Sequence, residues 1–451
     1  MKDIRLLPIL LAGYLFLLIF RPYEYWPILG DFRVERVYML CFMGVVFLSK
    51  EKRFLPSSLN GTIIIFSLTL LISGLFSISW DASWREIEDY LKYVIFYFMV
   101  ILCVRDEKDF RFIILAFIGV MFLYVGKSAW EFFVHGRHVY RMGIARMIGI
   151  DITYGDPNSF SATICYSLPL VWAMIRSKFE NVYLRRCLWA YGCLALVAII
   201  MTGSRSGIVT ALLFFLIIFV STSRKFLATF VIAIALFFSW QVMPVDLQTR
   251  FLSTFVDDIG PESAQQSAGG RMGGFLHGMS LFAENPILGV GPNNYPLSWD
   301  IRMNAHNLYG QLLGELGLLG GGAFGILLIL MVVKNRGIIR KYKLIMRFGE
   351  SEGSHQSNQA AKVLAGGMRR ICHSSGLQRQ KPEKTFIMDL GPVPLVFYSL
   401  VAQAIIQTII LMLFKGWGDH NLYRYTWLWI AALTVLGHHF FHQEVKRIGQ
   451  S

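Results

Sequence analysis

Long apolar blocks, separated by short polar segments, follow one another along the whole chain. A helix needs about 20 mostly apolar residues to cross a lipid bilayer, and twelve segments approach that length. They lie near residues 4–20, 34–48, 61–78, 87–104, 111–126, 158–175, 185–201, 206–220, 226–243, 305–333, 394–414 and 424–441. This pattern predicts an all-α polytopic membrane protein with about twelve transmembrane helices.

The composition supports a membrane protein and excludes several other classes. Of the 451 residues, 55% are hydrophobic and only 16% are charged, whereas soluble domains carry about 25% charged residues. The same values exclude disordered chains and coiled coils. The apolar blocks continue to the C-terminus, so a secreted enzyme behind a signal peptide is excluded as well.

Basic residues predict the side of the membrane that each loop occupies. Clusters of Lys and Arg occur at residues 50–53, 105–111, 176–186 and 224–225, and such clusters stay in the cytoplasm. Both termini are therefore predicted to be cytoplasmic. The formal net charge of +14 then reflects topology and attraction to anionic membrane lipids rather than nucleic-acid binding.

The spans divide the chain into five predicted parts. Residues 1–243 hold spans one to nine, and residues 244–304 form an outer loop that contains an amphipathic helix. Span ten covers 305–333, a basic cytoplasmic loop covers 334–392, and the last two spans occupy 393–451. The polar 334–392 loop is predicted to be flexible, and it lacks the interleaved aromatic residues of nucleic-acid-binding tails.

The positive-inside rule disfavours arginines on the predicted outer face, so we expect the arginines there to have a specific role. For Arg21, Arg33, Arg36 and Arg85 the simplest expectation is contact with lipid phosphates at the membrane surface. Other outer arginines lie within more distinctive motifs.

The first informative motif is Met-Thr-Gly-Ser-Arg-Ser-Gly at residues 201–207. Its glycines permit a sharp reversal between spans seven and eight, and Ser204 or Ser206 can cap the following helix. Arg205 would then lie at the membrane surface beside a helix N-terminus, which favours anions. The alternative is a tight turn whose arginine contacts lipid headgroups.

The second motif, Gly-Gly-Arg-Met-Gly-Gly-Phe, covers residues 269–275. Apolar residues at helical spacing from 272 to 282 predict a short amphipathic helix along the outer interface, with Arg271 at its N-terminal end. The turn-rich segment 284–294 then leads back towards the membrane. The alternative for Arg271 is an exposed position on the polar face of this helix.

The third motif, Asn-Ala-His-Asn-Leu-Tyr at residues 304–309, opens span ten. Histidine is costly inside a bilayer, and the pKa range of His306 suits it to accept a proton near neutrality. Glu315 would lie about 13.5 Å deeper and on the opposite side of the helix. We expect Glu315 to form structural hydrogen bonds, with a proton relay as the alternative.

Two arginines and one histidine at one membrane face suggest chemistry on a lipid diphosphate. Arginine binds phosphate oxygens through a planar fork, and a histidine can activate a hydroxyl group. Arginines can also stabilise the charge that develops on a leaving diphosphate. The sequence shows no divalent-metal motif, because the acidic pair at 257–258 is isolated. We therefore expect neither a metal nor a cofactor.

These three motifs, in this order, make residues 202–322 resemble the bacterial O-antigen ligase/polymerase family. The similarity runs from Thr-Gly-Ser-Arg-Ser-Gly through Asn-Pro-Ile-Leu-Gly-Val-Gly-Pro-Asn-Asn to Ala-His-Asn and Glu-Leu-Gly. The resemblance implies a GT-C-like bundle in the bacterial inner membrane, with a large periplasmic loop between spans nine and ten. It implies metal-independent transfer of a glycan from undecaprenyl diphosphate to an acceptor hydroxyl on the periplasmic face. Arg205 and Arg271 would bind the diphosphate, and His306 would be the catalytic base.

Two further segments complete the predicted site. The Tyr-Gly-Asp-Pro-Asn segment at 154–158 also resembles family members, and Asp-His-Asn-Leu-Tyr-Arg at 419–424 falls on the same outer face. Either segment could instead supply helix caps. The predicted catalytic and substrate-binding residues are His306, Arg205, Arg271, Asn307, Tyr154, Asp156, Asn158, Asp419 and His420.

The acceptor separates two functions within the family. A ligase transfers the finished glycan to a lipid or protein, whereas a polymerase transfers it to another lipid-linked repeat unit. The 244–304 loop and its motifs favour the ligase. A polysaccharide or lipid transporter is the alternative from another class, and it predicts broken helices and internal symmetry. The expected partners are the lipid-linked glycan donor, a glycan, lipid or protein acceptor, and membrane lipids, with no nucleic acid.

Overall fold

The structure is a computed structural model. It describes residues 6–50, 52–141, 144–177, 181–222, 263–298, 305–351 and 395–450, together with residues 225, 241, 245 and 248. The predicted ninth span, 226–243, falls almost entirely outside these residues.

Helices make up most of the described chain. The first half contains α1 (Leu6–Phe20), α2 (Pro22–Tyr25), α3 (Pro27–Asp31), α4 (Val34–Leu48), α5 (Ser58–Leu75), α6 (Trp80–Cys103) and α7 (Glu107–Phe133). An antiparallel hairpin follows, formed by β1 (His138–Arg141) and β2 (Ile144–Met147), with His138 paired to Met147. The second half contains α8 (Pro157–Arg176), α9 (Val182–Met201), α10 (Arg205–Ser221), α11 (Ser263–Glu284), a 3-10 turn (Tyr295–Ser298), α12 (Leu308–Ser351), α13 (Leu395–Gly416) and α14 (Tyr425–Gln450).

The prediction of an all-α membrane protein agrees with this architecture. Six of the described helices are long and apolar enough to cross a membrane, and α10 is a shorter apolar helix. Each predicted span other than 226–243 coincides with a described helix. The β-hairpin between α7 and α8 was not predicted. The total of twelve spans remains a prediction.

The helix α14 lies at the centre of the bundle. Residues 421–437 are buried without exception, and Trp427 and Trp429 are among the largest fully buried side chains. A helix that is buried on all sides must pack against neighbours in every direction, and α14 contacts α6, α7, α12 and α13. The loop that precedes α14 is therefore anchored to the core of the molecule.

Two predicted boundaries were wrong. The helix α12 continues to Ser351, into the segment 334–392 that was predicted to be a loop. The start of this segment packs against α14, because Asn335 is buried and donates a hydrogen bond to Thr434 Oγ1 at 2.9 Å. The helix α11 begins at Ser263, so Arg271 lies within it rather than at its N-terminal end.

Glycines allow α11 and α12 to approach each other closely. A Cβ atom added at Gly274 would overlap the carbonyl oxygen of Ala305, and one added at Gly278 would overlap the backbone of Gly310. Gly314 lies against Gly278 in the next turn. Small residues four positions apart on facing helices permit such backbone contact, which brings the helix that carries Arg271 against the start of α12.

The helix α12 is broken at Gly317, which has φ 58° and ψ −156°. The return segment after α11 fills the break, because Leu318 N donates to Pro286 O at 2.8 Å and Val290 N donates to Gly314 O at 2.9 Å. Backbone groups freed by the break are thus satisfied within the protein. A broken helix was expected of a transporter, but this break is filled by the chain's own backbone.

We predict that Gly317→Ala destabilises the protein by roughly 2–4 kcal/mol, through backbone strain and overpacking. The added Cβ would lie 2.5 Å from the carbonyl carbon of Ile287. Gly325→Ala is the matched control, because it lies in the same helix with no atom within 4 Å of its Cβ position. Thermal unfolding of the purified variants measures the difference, and equal midpoints would contradict this account of the break.

Candidate functional site

The fold brings the three sequence motifs together at one end of the bundle. Arg205 is the first residue of α10, Arg271 lies on α11, and His306 precedes α12. The charges of Arg205 and Arg271 are close enough to repel each other, and this repulsion adds to burial in lowering the pKa of Arg271. The ring of His306 lies 5.1 Å, centroid to centroid, from that of His420 in the α13–α14 loop.

Four helices begin around this cluster. Asp156 caps α8 by accepting hydrogen bonds from the backbone N–H groups of Asn158 and Ser159. Ser204 caps α10, and the side chain of Asn307 accepts from the first turn of α12. The helix α14 begins immediately after Arg424. Helix N-termini carry partial positive charge, so their convergence favours an anion in the space between them.

Asn158 holds the Arg205 turn in position. Its side-chain oxygen accepts a hydrogen bond from Ser204 Oγ at 2.8 Å and another from Arg146 Nη2 at 3.1 Å. Ser204 Oγ in turn accepts from the backbone N–H of Gly207. Asn158 was predicted to bind substrate; in the structure its side-chain oxygen supports the loop that carries Arg205.

Arg146 was not singled out from the sequence. It lies on β2, is only 3% exposed, and donates through Nε to the carbonyl oxygen of Thr202 at 2.7 Å. Together with its bond to Asn158, this contact ties the β-hairpin to the Arg205 turn. Its only sequence signal is an arginine within the predicted outer loop 127–157, where the positive-inside rule disfavours one.

The α13–α14 loop supplies a buried ion pair. Arg424 Nη2 lies 3.4 Å from Asp419 Oδ2, and both side chains are less than a tenth exposed. Burial alone would raise the pKa of Asp419, but Arg424 and Lys415 hold it below its usual range. Asp419 therefore remains ionised beside the two histidines, and it attracts positive charge at His306.

Tyr154 is enclosed by two arginines. The guanidinium carbons of Arg21 and Arg424 each lie 5.0 Å from the centre of its ring, and its hydroxyl is 3.1 Å from that of Tyr93.

The predicted lipid contact for Arg21 was wrong. This residue is only 8% exposed and donates to Thr153 Oγ1 at 2.7 Å, because α1 ends against the loop before α8. Arg33, Arg36 and Arg85 are exposed.

His306 has an unusual backbone conformation, with φ 43°, between the buried residues Ala305 and Asn307. The side chain of Asn307 donates to Trp417 O at 3.0 Å, which joins the start of α12 to the α13–α14 loop. Burial, together with the nearby charges of His420 and Arg271, lowers the pKa of His306, although Asp419 and Asp156 act in the opposite direction. The imidazole is therefore neutral near pH 7 and able to accept a proton.

Lys415 is a second cation that the sequence analysis missed. It occupies the last turn of α13, is 2% exposed, and donates to Ser206 Oγ at 2.6 Å. Its position inside an apolar helix gave no reason to connect it with the motifs. Among the described residues of the cluster, positive side chains outnumber the carboxylates of Asp156 and Asp419. The positive side chains are those of Arg146, Arg205, Arg271, Lys415 and Arg424.

Glu315 has the structural role that was expected. It is 1% exposed and accepts hydrogen bonds from Tyr423 Oη at 2.7 Å and from Gln311 Nε2 at 3.4 Å.

Within the described part of the chain, no group of three His, Cys, Asp or Glu residues is placed to hold a metal ion. A separate cavity of about 290 Å³ lies near α3 and α4, lined by Tyr23, Gly30, Arg33, Glu35, Arg36 and Lys92, and it shares no residue with the cluster.

The described residues define an α-helical membrane protein with a cationic, histidine-containing site at one end of its bundle. Residues 190–325 match the family model described as O-antigen ligase. This match confirms the resemblance of the motifs to the O-antigen ligase family. The matched segment is less than half of the chain; it contains Arg205, Arg271 and His306. No curated protein matches the chain significantly.

The family indicates a bacterial membrane protein with glycosyltransferase-like activity, and lipid-linked glycan and acceptor as its general partners. Lys415, Asp419, His420 and the 154–158 segment lie outside the matched residues. Their connection with the site comes from the fold.

Proposed function

We propose that this protein transfers a glycan from undecaprenyl diphosphate to an acceptor hydroxyl at the periplasmic face of the bacterial inner membrane. The observation that carries this proposal is the convergence of Arg205, Arg271 and His306 among helix N-termini. An excess of fixed positive charge suits an anionic group that gains charge during the reaction. A lipid diphosphate is such a group.

Arg205 and Arg271 hold the diphosphate in this proposal. A guanidinium fork can bind two phosphate oxygens at once, and two forks around one diphosphate relieve the repulsion between the arginines. As the bond between the sugar and the diphosphate breaks, the diphosphate keeps the electron pair, and the arginines stabilise its added charge. The transfer then needs no metal ion for charge neutralisation.

His306 is the general base. A new bond forms between the acceptor oxygen and the anomeric carbon of the sugar, while the acceptor's proton passes to the imidazole of His306. Asp419 and Asp156 attract positive charge at His306, so they stabilise the imidazolium that forms. His420 lies beside His306 and would face the acceptor. Tyr154, Asn158 and Asn307 act by positioning, since each contacts other protein groups.

We predict that His306→Ala inserts and folds but transfers glycan about 10²–10⁴-fold more slowly, the usual loss when a general base is removed. The measurement is glycan transfer by purified protein that is supplied with a lipid-linked donor. His135→Ala is the matched control, because this exposed histidine follows α7 and pairs with Glu131, away from the cluster. Unchanged transfer by His306→Ala would remove His306 from the mechanism.

The pH dependence follows from the lowered pKa of His306. Only neutral imidazole accepts the proton, so the rate should fall as the pH drops through that pKa, below the usual value of 6.5. In His420→Gln, a neighbouring positive charge that lowers the pKa of His306 is lost. The acidic limb of the rate profile should then move to higher pH. An acidic limb above pH 6.5 in the unmodified protein would contradict this assignment.

The ligase function is proposed over the polymerase function because the matched family carries the ligase description. Deletion of the gene should leave long polymer on undecaprenyl diphosphate and none on its final lipid or protein carrier. Gel analysis of the surface polysaccharide separates the alternatives. Single repeat units attached to the final carrier would instead identify a polymerase and leave the lipid-diphosphate chemistry in place.

A further inference from the structure

Lys415 occupies an electrostatically unusual position. Lys415 is 2% exposed, and its ammonium group contacts Ser206 in the first turn of α10. The N-terminal end of a helix carries partial positive charge and favours anions, so a cation at this end is repelled. Arg271 and Arg424 also repel Lys415. A positive side chain has thus been buried among other positive groups.

The negative charge around Lys415 is limited. Asp419 attracts it, but this carboxylate is paired with Arg424, and no described carboxylate lies within 4.0 Å of Lys415 Nζ. Burial of an ammonium without a close partner is strongly unfavourable. The arrangement is complementary to an anion that contacts Lys415 and the start of α10 together.

The hydroxyl of Ser206 is oriented by this contact. An ammonium group can only donate hydrogen bonds, so Ser206 Oγ is the acceptor and its own hydrogen must point elsewhere. Ser204 Oγ is 3.4 Å away, a long distance for a hydroxyl pair, and Ser204 already donates to Asn158. Ser206 can therefore donate to a ligand, and the adjacent ammonium strengthens it as a donor.

We propose that Lys415 and Ser206 form a phosphate subsite beside Arg205 and Arg271, and that this subsite makes the protein prefer a diphosphate to a monophosphate. The inference rests on the proposed function and deepens it. Two arginine forks satisfy the oxygens of one phosphate group, and the Lys415–Ser206 pair supplies donors for the other. Lys415 binds the leaving group in this account and takes no proton from the acceptor.

The test compares the binding of farnesyl diphosphate and farnesyl monophosphate to the full chain in lipid nanodiscs. Lys415→Met should weaken diphosphate binding by about tenfold to a hundredfold, since a charged hydrogen bond is lost, and should change monophosphate binding by less than about threefold. Lys127→Met is the matched control, because Lys127 pairs with Glu131 at the end of α7. Both affinities of this control should equal those of the unmodified protein.

The outcomes separate this subsite from the proposed function. If Arg271→Met loses diphosphate affinity while Lys415→Met binds normally, the subsite is overturned and the function stands. If the unmodified protein binds no farnesyl diphosphate, both are overturned. If Lys415→Met fails to fold, Ser206→Ala serves in its place, because it keeps the charge of Lys415 and removes one hydrogen-bond donor. Ser206→Ala should reduce the ratio of diphosphate affinity to monophosphate affinity severalfold. An unchanged preference in Ser206→Ala would then overturn the subsite.

Discussion

Close backbone contact between α11 and α12 places Arg271 beside His306. Gly274 and Gly278 on α11 meet Ala305 and Gly310 with no room for a Cβ atom. The return segment after α11 then fills the break at Gly317 through backbone hydrogen bonds. Glycine packing and the filled break together fix the position of α11 relative to α12. Binding and proton transfer both require such fixed geometry.

The buried end of the α13–α14 loop completes the cluster from the opposite side. Arg424 and Asp419 form an ion pair immediately before the central helix α14, and Arg424 also lies over Tyr154. Because these side chains are buried, their charges are screened less than charges in water. The cluster therefore attracts an anion strongly, while Asp419 keeps enough negative charge near His306 to stabilise its protonated form.

The sequence predicted the elements with a local signal and missed those that depend on packing. Hydrophobic blocks located the helices, and glycine-rich motifs pointed to Arg205, Arg271 and His306. The end of α12 was misplaced because Asn335 and its neighbours are polar in sequence but pack against α14. Arg146 and Lys415 were missed because their partners, Asn158 and Ser206, are distant in the chain.

For Arg21, the sequence predicted a contact with lipid where the fold provides contacts with protein. A single arginine at the end of an apolar helix resembles a lipid contact, and only the fold reveals that Tyr154 and Thr153 cover it. Asp156 and Asn307 illustrate an ambiguity that sequence alone could not resolve. Their positions fit both helix caps and ligands, and the structure gives each a capping contact.

The most direct test of the central claim is an experimental structure of the full chain in lipid nanodiscs with bound undecaprenyl diphosphate. The account predicts that the diphosphate lies between Arg205 and Arg271, within reach of Lys415 and with His306 facing the terminal phosphate, which carries the sugar before transfer. A diphosphate bound instead in the cavity lined by Arg33, Arg36 and Lys92, or at the opposite end of the bundle, would contradict it.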